Sequence, residues 1–240
     1  GSSKGIGKSV AAQCAYAGAK VMISGRKINA CEETANEINS NVGDEVAFPI
    51  QANIGDKTQL ENLVNEAREK IGKIDVLVCN AATNPFLGSS LDIPEEAFDK
   101  IINNNIKSNH LLANLVLPEM IKRKDGVIII ISSISGFKGN EILGTYAMTK
   151  AADMALARNL AVEFGKHNIR SNTIAPGLIK TDMAKAIWDN PDTLKTFTET
   201  NPMLRIGDPD EIGGIAVMLA SDAGKYINGQ TIIVDGGATA

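Results

Sequence analysis

Tyr146 and Lys150 stand four residues apart at the start of a stretch with helical character, about Gly144 to Lys166. Residues at that spacing share one face of a helix, so the phenol and the ammonium can approach each other. Thirteen residues before Tyr146 lies Ser133, at the end of the aliphatic run Val127–Ser132. If that run is a strand of an open α/β sheet, Ser133 sits at the edge where such sheets bind ligands. At the other end of the chain, Gly1-Ser2-Ser3-Lys4-Gly5-Ile6-Gly7 opens a helix running to about Ala17. Glycines at 1, 5 and 7 suit a phosphate-binding turn: one for the sharp turn, one for backbone approach to a pyrophosphate, one for close helix–sheet packing. The helix N-terminus adds unpaired N–H groups and a partial positive charge. Any one of these features alone is within chance. A plain tight turn, or a surface Tyr and Lys, would explain it as well.

The elements that must position these groups alternate. Strands are expected at Val21–Ser24, Glu45–Ile50, Ile74–Cys79, Val127–Ser132, Arg170–Ile174 and Thr231–Val234. Helices are expected at Ile28–Asn41, Lys57–Ile71, one long Glu95–Arg123, Gly144–Lys166 and Pro209–Ser221. In Lys57–Ile71 the apolar residues Leu60, Leu63, Val64, Ala67 and Ile71 recur at three- and four-residue steps, which marks an amphipathic helix. Near-continuous apolar strands between helices mean βαβ units: a doubly wound parallel sheet, α/β and Rossmann-type, covered on both faces. No linker, repeat or low-complexity stretch interrupts residues 1–240, so a single domain is expected. A glycine turn of this kind follows a strand, and none stands before Gly1. The expectation is that a first, central strand is missing from the sequence, with its two neighbours left unpaired. Lys180–Leu204 reads only as a polar stretch.

Composition narrows the chemistry. The 240 residues carry 24 basic and 28 acidic side chains, a net charge of −4, which argues against a nucleic-acid partner. Cys14, Cys31 and Cys79 lack metal-ligand spacing, and His110 and His167 are the only histidines. No metal site or disulfide framework is expected, and a reducing, cytoplasmic compartment fits. The longest aliphatic run, Val127–Ile131, is far short of the ~20 residues of a membrane span.

Taken in order, the motifs resemble the short-chain dehydrogenase/reductase family. They are Gly1-x-x-x-Gly5-Ile6-Gly7, Asn80-Ala81-Ala82, Asn105-Ile106-Lys107, Ser133, Tyr146-x-x-x-Lys150, Ala175-Pro176-Gly177-Leu178-Ile179-Lys180-Thr181 and Gly229-Gln230…Asp235-Gly236-Gly237. They span almost the whole chain. Many relatives have Gly where this chain has Ala82, a mild departure at the cofactor wall.

The resemblance implies a role for each matching residue. Tyr146 resembles the general acid/base that exchanges a proton with the substrate oxygen. A phenol ordinarily keeps its proton to about pH 10. A unit charge ~4 Å away, at an effective dielectric near 20, is worth about 4 kcal/mol, up to roughly three pH units. Lys150 resembles the source of that charge and the residue that holds the nicotinamide ribose. Ser133 would bond the carbonyl oxygen, and Asn105 would anchor a water in a proton relay. Asn103 and Asn104 are decoys: the spacing to Ile106-Lys107 selects Asn105. Pro176, Gly177, Ile179 and Thr181 resemble the grip on the nicotinamide amide. Asn53, Asn80 and Ala81 resemble the adenine-side wall. A segment holding Met183, Ile187 and Trp188 resembles a lid over an apolar pocket that Asn84-Pro85-Phe86, Ile134, Ser135 and Phe137 would also approach. The helices Glu95–Arg123 and Gly144–Lys166 would pair copies of the chain into a homotetramer.

The cofactor is read from residues. An NAD-preferring site places an acid about 20 residues past the turn. Eighteen residues beyond Gly7 stands Gly25, followed by Arg26, whose fork can hold a phosphate. With Lys4 and Ser3 nearby in the turn, NADP(H) is expected. The function expected is hydride exchange between NADP(H) and a ketone or secondary alcohol. A 3-oxoacyl-carrier-protein reductase stays open, with Lys122, Arg123 and Lys124 as a candidate patch for an acidic carrier. So does a non-catalytic dinucleotide-binding module, although a Ser–Tyr–Lys–Asn set would have no use there.

Overall fold

The computed structural model describes residues 1–240. The chain alternates helix and strand from its start: α1 Gly5–Tyr16, β1 Val21–Gly25, α2 Ile28–Val42, β2 Ala47–Gln51, α3 Lys57–Ile71, β3 Val76–Cys79. There follow α4 Glu95–Ile102, α5 Ser108–Arg123, β4 Gly126–Ile131, α6 Gly144–Phe164 and β5 Ile169–Pro176. The chain ends with α7 Lys185–Trp188, α8 Pro191–Glu199, α9 Pro209–Ala220 and β6 Thr231–Val234.

All strand pairs are parallel, in two blocks: β1 with β2, and β3-β4-β5-β6 in that order. The β1 and β3 edges do not pair with each other. Gly1 and Ser2 stand in the seam between their C-terminal ends. The Ser2 amide donates to the Ser24 carbonyl at 2.8 Å, and the Asn80 side-chain amide donates to the Gly1 carbonyl at 2.6 Å.

Strand β4 shows how the sequence makes three layers. Every residue of Gly126–Ile131 is buried. Alternation sends Ile128 and Ile130 to a core shared with α3, α5 and α6, through Leu60, Val64, Leu112, Val116, Met120 and Leu160. Val127, Ile129 and Ile131 go to the other face, against Val10 of α1 and Ile212, Ala216 and Leu219 of α9. At about 1.5–3 kcal/mol for each fully buried large aliphatic side chain, this strand anchors the molecule. A smaller core joins α1 and α2 to β1 and β2 through Ala15, Ile23, Ala35 and Ile38.

Two expectations are corrected. The long helix over Glu95–Arg123 is broken by a π-helical turn, Asn103–Lys107. The wider turn shifts the hydrogen-bond ladder, and two side chains just beyond it cover the displaced carbonyls. Ser108 Oγ donates to the Asn104 carbonyl at 2.5 Å, and Asn109 Nδ2 donates to the Asn105 carbonyl at 2.8 Å. Such single-turn bulges are frequent at functional sites. The second correction is Lys180–Leu204, which is not merely a polar stretch but folds into α7 and α8. Asn190 caps α8 by accepting from the Asp192 and Thr193 amides, and Pro191 takes the first helical position.

Candidate active site

The expected residues gather at the C-terminal ends of the strands. The glycine turn packs against two of them. A Cβ on Gly7 would lie 2.0 Å from the Gly1 carbonyl oxygen and 2.5 Å from Asn80 Nδ2, and one on Gly1 would lie 2.8 Å from Ala81 Cβ. Gly5 has a φ of +52°, and a Cβ there would touch Thr181 Cγ2 at 3.1 Å. Asn80-Ala81 and the Pro176–Thr181 segment therefore flank one glycine-lined cleft. Helix α1 opens on it with no side-chain cap and no acid in its first turn, so its N–H groups are available to an anion. Ile6 lies in that first turn. Pro176 is the last residue of β5, Gly177 donates its N–H to the Val234 carbonyl at 2.9 Å, and Ile179 is buried and bridges to Gly207.

Ser133 follows β4 and caps a short 3-10 turn. Its Oγ accepts from the Ser135 amide at 3.1 Å and lies 3.2 Å from Ser135 Oγ. Tyr146 is half-buried on the first turns of α6, and the Lys150 ammonium lies 5.6 Å from its ring centroid. Lys150 is 3% exposed, and its ammonium donates to the Ile131 carbonyl at 2.8 Å and to Asp153 Oδ2 at 3.0 Å. Burial disfavours that ammonium, but the Tyr146 oxygen and the Asp153 carboxylate outweigh it, and the Lys150 pKa stands above the ordinary lysine value.

Asn105 is fully buried in the π-helical turn. Its side chain donates to the Thr83 carbonyl at 3.0 Å and accepts from the Thr83 amide at 2.8 Å. It also donates to Thr149 Oγ1 at 3.2 Å, while Thr149 Oγ1 donates to the Tyr146 carbonyl at 2.8 Å. Asn105 thus ties the loop after β3 to the helix that carries Tyr146. The decoys do other work: Asn103 Nδ2 donates to the Gly55 carbonyl at 3.0 Å, and Asn104 faces the same residue. Asn53 is exposed in that neighbouring loop, where its Oδ1 accepts from the Gly55 amide at 3.1 Å.

A shallow open cleft reaches Tyr146, lined by Asn84, Phe86, Ile93, Ile142 and Leu143 among others. Ser135, Phe137, Met183, Ile187 and Trp188 are not among its lining residues. Trp188 folds back on its own segment. Its indole N–H donates to the Thr181 carbonyl at 2.8 Å, and the Lys180 and Lys185 ammoniums lie 5.7 and 4.8 Å from its ring.

Two further expectations change. Lys4 was expected beside a ribose phosphate, but its ammonium lies 2.8 Å from Asp182 Oδ2 in an exposed ion pair. The Asp182 pKa is lowered by that bond and the Lys4 pKa is raised by it. Lys122, Arg123 and Lys124 close α5 just before β4 begins. That is the N-terminal edge of the sheet, about 20 Å from the site at ~3.3 Å per strand residue. Arg123 is also engaged, donating to the Ile74 carbonyl. By contrast Arg26 is exposed and makes no ion pair, next to Gly25, whose Cβ position is 3.0 Å from Ser3 Oγ.

Known proteins are similar to this chain over almost its whole length. A family model described as enoyl-(acyl carrier protein) reductase matches residues 1–239. Dehydrogenase/reductase SDR family member 4 of Bos taurus is 38% identical over 238 residues, covering 99% of this chain and 84% of the relative. The chain belongs to the short-chain dehydrogenase/reductase family. Human SDR family member 2, a mitochondrial protein, is 38% identical over the whole chain and 84% of its own length. A 7α-hydroxysteroid dehydrogenase structure with NADH and 7-oxo glycochenodeoxycholic acid matches with a TM-score of 0.93 and 36% identity, over 99% of this chain and 91% of that one. Gluconate 5-dehydrogenase of Burkholderia cenocepacia, bound to NADP and tartrate, gives 0.93 at 29% identity, over 100% and 92%. Members of this family are oxidoreductases that bind a nicotinamide dinucleotide and act at CH–OH or C=O groups. The residues of this chain fit that cofactor: the uncapped helix end and the glycine cradle leave room where any side chain would intrude. No helix is long and apolar enough to cross a membrane.

Asp153, Asn109 and Thr149 were not singled out from sequence. For Asp153 a signal existed. It falls three residues after Lys150 and seven after Tyr146, on a face otherwise made of Ala147, Met154 and Ala157. An acid on an apolar stripe asks for a partner.

Proposed function

We propose that this protein is an NADP(H)-dependent carbonyl reductase or secondary-alcohol dehydrogenase in which Tyr146 is the general acid/base. The observation that carries this reading is the buried Lys150 ammonium 5.6 Å from the centroid of the Tyr146 ring, with Tyr146 itself lining an open cleft. When bound, the dinucleotide supplies or takes the hydride. In the reductive direction, the Tyr146 and Ser133 hydroxyls bond the substrate carbonyl oxygen. Tyr146 O–H gives its proton to that oxygen as the carbon is reduced, and the Lys150 ammonium stabilises the phenolate that remains. In the oxidative direction the phenolate takes the alcohol proton. Asn105, through Thr149, fixes the turn of α6 that aims Tyr146. Phe86, Ile93, Ile142 and Leu143 line the cleft beside Tyr146 and would meet the apolar part of a ketone substrate.

The test removes one oxygen. Tyr146→Phe keeps the ring, so turnover should fall by about 10²–10⁴-fold while dinucleotide affinity barely changes. Near-normal turnover on a panel of ketones and 3-oxoacyl thioesters would discard the mechanism. NADP(H) is supported by Arg26, exposed and free of any ion pair, and by the absence of an acid at Gly25.

A further inference from the structure

Asp153 has no part in the reaction as drawn so far, yet it is the most deeply buried carboxylate in contact with it. It is 1% exposed. Its Oδ2 accepts from the Lys150 ammonium at 3.0 Å and its Oδ1 from Asn109 Nδ2 at 2.9 Å. Both partners are donors, which is what an ionised carboxylate needs and a protonated one does not. Asn109 Nδ2 also donates to the Asn105 carbonyl, so one carboxylate ties Lys150 to the turn that carries Asn105.

We propose that Asp153 is a positioning residue for the reaction proposed above: it holds the Lys150 ammonium in place beneath Tyr146 and sets how much of that positive charge the phenol feels. An ammonium has three N–H donors. The Ile131 carbonyl and Asp153 take two, and one is left for whatever stands over that face of α6. Stability alone does not account for the pair, because buried ion pairs are often replaceable by apolar groups without loss. Its electrostatic consequence is specific. Tyr146 faces an ion pair rather than a bare ammonium, so its phenolate is stabilised less than Lys150 alone would achieve.

The groups facing this pair are few. From α6 there are Tyr146, Lys150 and Asp153 themselves. From β3 there is Cys79, whose thiol burial pushes up to about 12 and which stays neutral through any working pH. The π-helical turn and α5 present Asn105 and Asn109, and β4 presents the Ile131 carbonyl, none of which titrates. Ser132, just after β4, gives its hydroxyl to the Lys150 carbonyl.

The experiment is a pH profile of kcat/KM for ketone reduction with the whole chain. Asp153→Asn removes the charge and keeps a hydrogen-bonding side chain. The alkaline limb of the profile should move down, because the charge removed no longer offsets the Lys150 ammonium beside Tyr146. Asp153→Glu should bring the limb back toward the wild type. A limb that stays put or moves up in Asp153→Asn overturns the proposal. If that variant does not fold, Asp153→Ser carries the test. It likewise removes the carboxylate charge, so a downward move supports the proposal and an unmoved limb overturns it. Tyr146→Phe is run alongside. Full activity there removes the acid/base assignment and this role with it, whereas an inactive Tyr146→Phe with an unmoved Asp153→Asn limb removes this role alone.

Discussion

On the proposed NADP(H) reading Arg26 carries the choice of cofactor, and its replacement gives a measurable number. The side chain is exposed, lies just past the C-terminal end of β1, and has no carboxylate within ion-pair distance. The next helix, α2, begins at Ile28 with neither a side-chain cap nor an acid in its first turn, so its positive end also favours a phosphate there. A charge-assisted hydrogen bond is worth about 1.5–3 kcal/mol, and solvent exposure of Arg26 discounts that to somewhat less. Taking about 1–2 kcal/mol, Arg26→Ala should lower kcat/KM for NADPH by roughly 5–30-fold. The value for NADH should change less than about twofold, and added salt should shrink the difference. Placing an acid at Gly25 is a poorer probe, because a Cβ there already meets Ser3 Oγ and Cys31 Sγ at 3.0 Å. Packing strain and charge would be confounded. Lys4 adds a second arm. It is engaged by Asp182, so Asp182→Asn frees its ammonium and should raise the affinity for NADPH several-fold without altering that for NADH. Binding is read from the fluorescence of the reduced dinucleotide and selectivity from initial rates. A wild-type NADPH/NADH ratio below one, or an Arg26→Ala variant with both cofactors equally affected, would refute the assignment.

Gly7→Ala places a methyl 2.0 Å from the Gly1 carbonyl oxygen, a backbone atom that cannot rotate away. It should weaken dinucleotide binding more than ~10-fold and cost about 1–3 kcal/mol of stability by overpacking. Titration and a urea melt check both, and an unchanged Kd would show that the turn is not the cradle. The three thiols should resist a disulfide reagent at pH 8 in the native protein and react fully in denaturant. Burial raises the pKa of Cys14 and Cys31 and brings Cys79 to about 12, which leaves about one thiolate in ten thousand at that site at pH 8. One fast-reacting native thiol assigned to Cys79 would contradict that burial.

The sequence by itself determined what depends on local periodicity and on residue type. Apolar runs such as Val127–Ile131 are long enough only for strands, and the alternation with amphipathic helices leaves a parallel sheet as the one arrangement that buries both faces. The four-residue step from Tyr146 to Lys150 and the glycines at 1, 5 and 7 were legible because helix and turn geometry are local, whereas Asn105 was singled out from its two neighbours only by the resemblance to a family motif through Ile106-Lys107. Tertiary structure decided the rest, because it depends on which side chains meet across long separations. The π-helical turn is invisible in a helical pattern, since one extra residue per turn alters no apolar spacing that sequence can resolve. Lys4 looked free until the fold brought Asp182 beside it, 178 residues away. The basic residues Lys122–Lys124 looked available for a carrier until the direction of β4 put them at the opposite edge. Asp153 carries the same lesson. Its spacing to Lys150 was on view, but only packing against the Asn109 side chain, 44 residues earlier, makes it a buried carboxylate with two donors. Burial converts a charge that water would screen into one that a neighbouring phenol can feel.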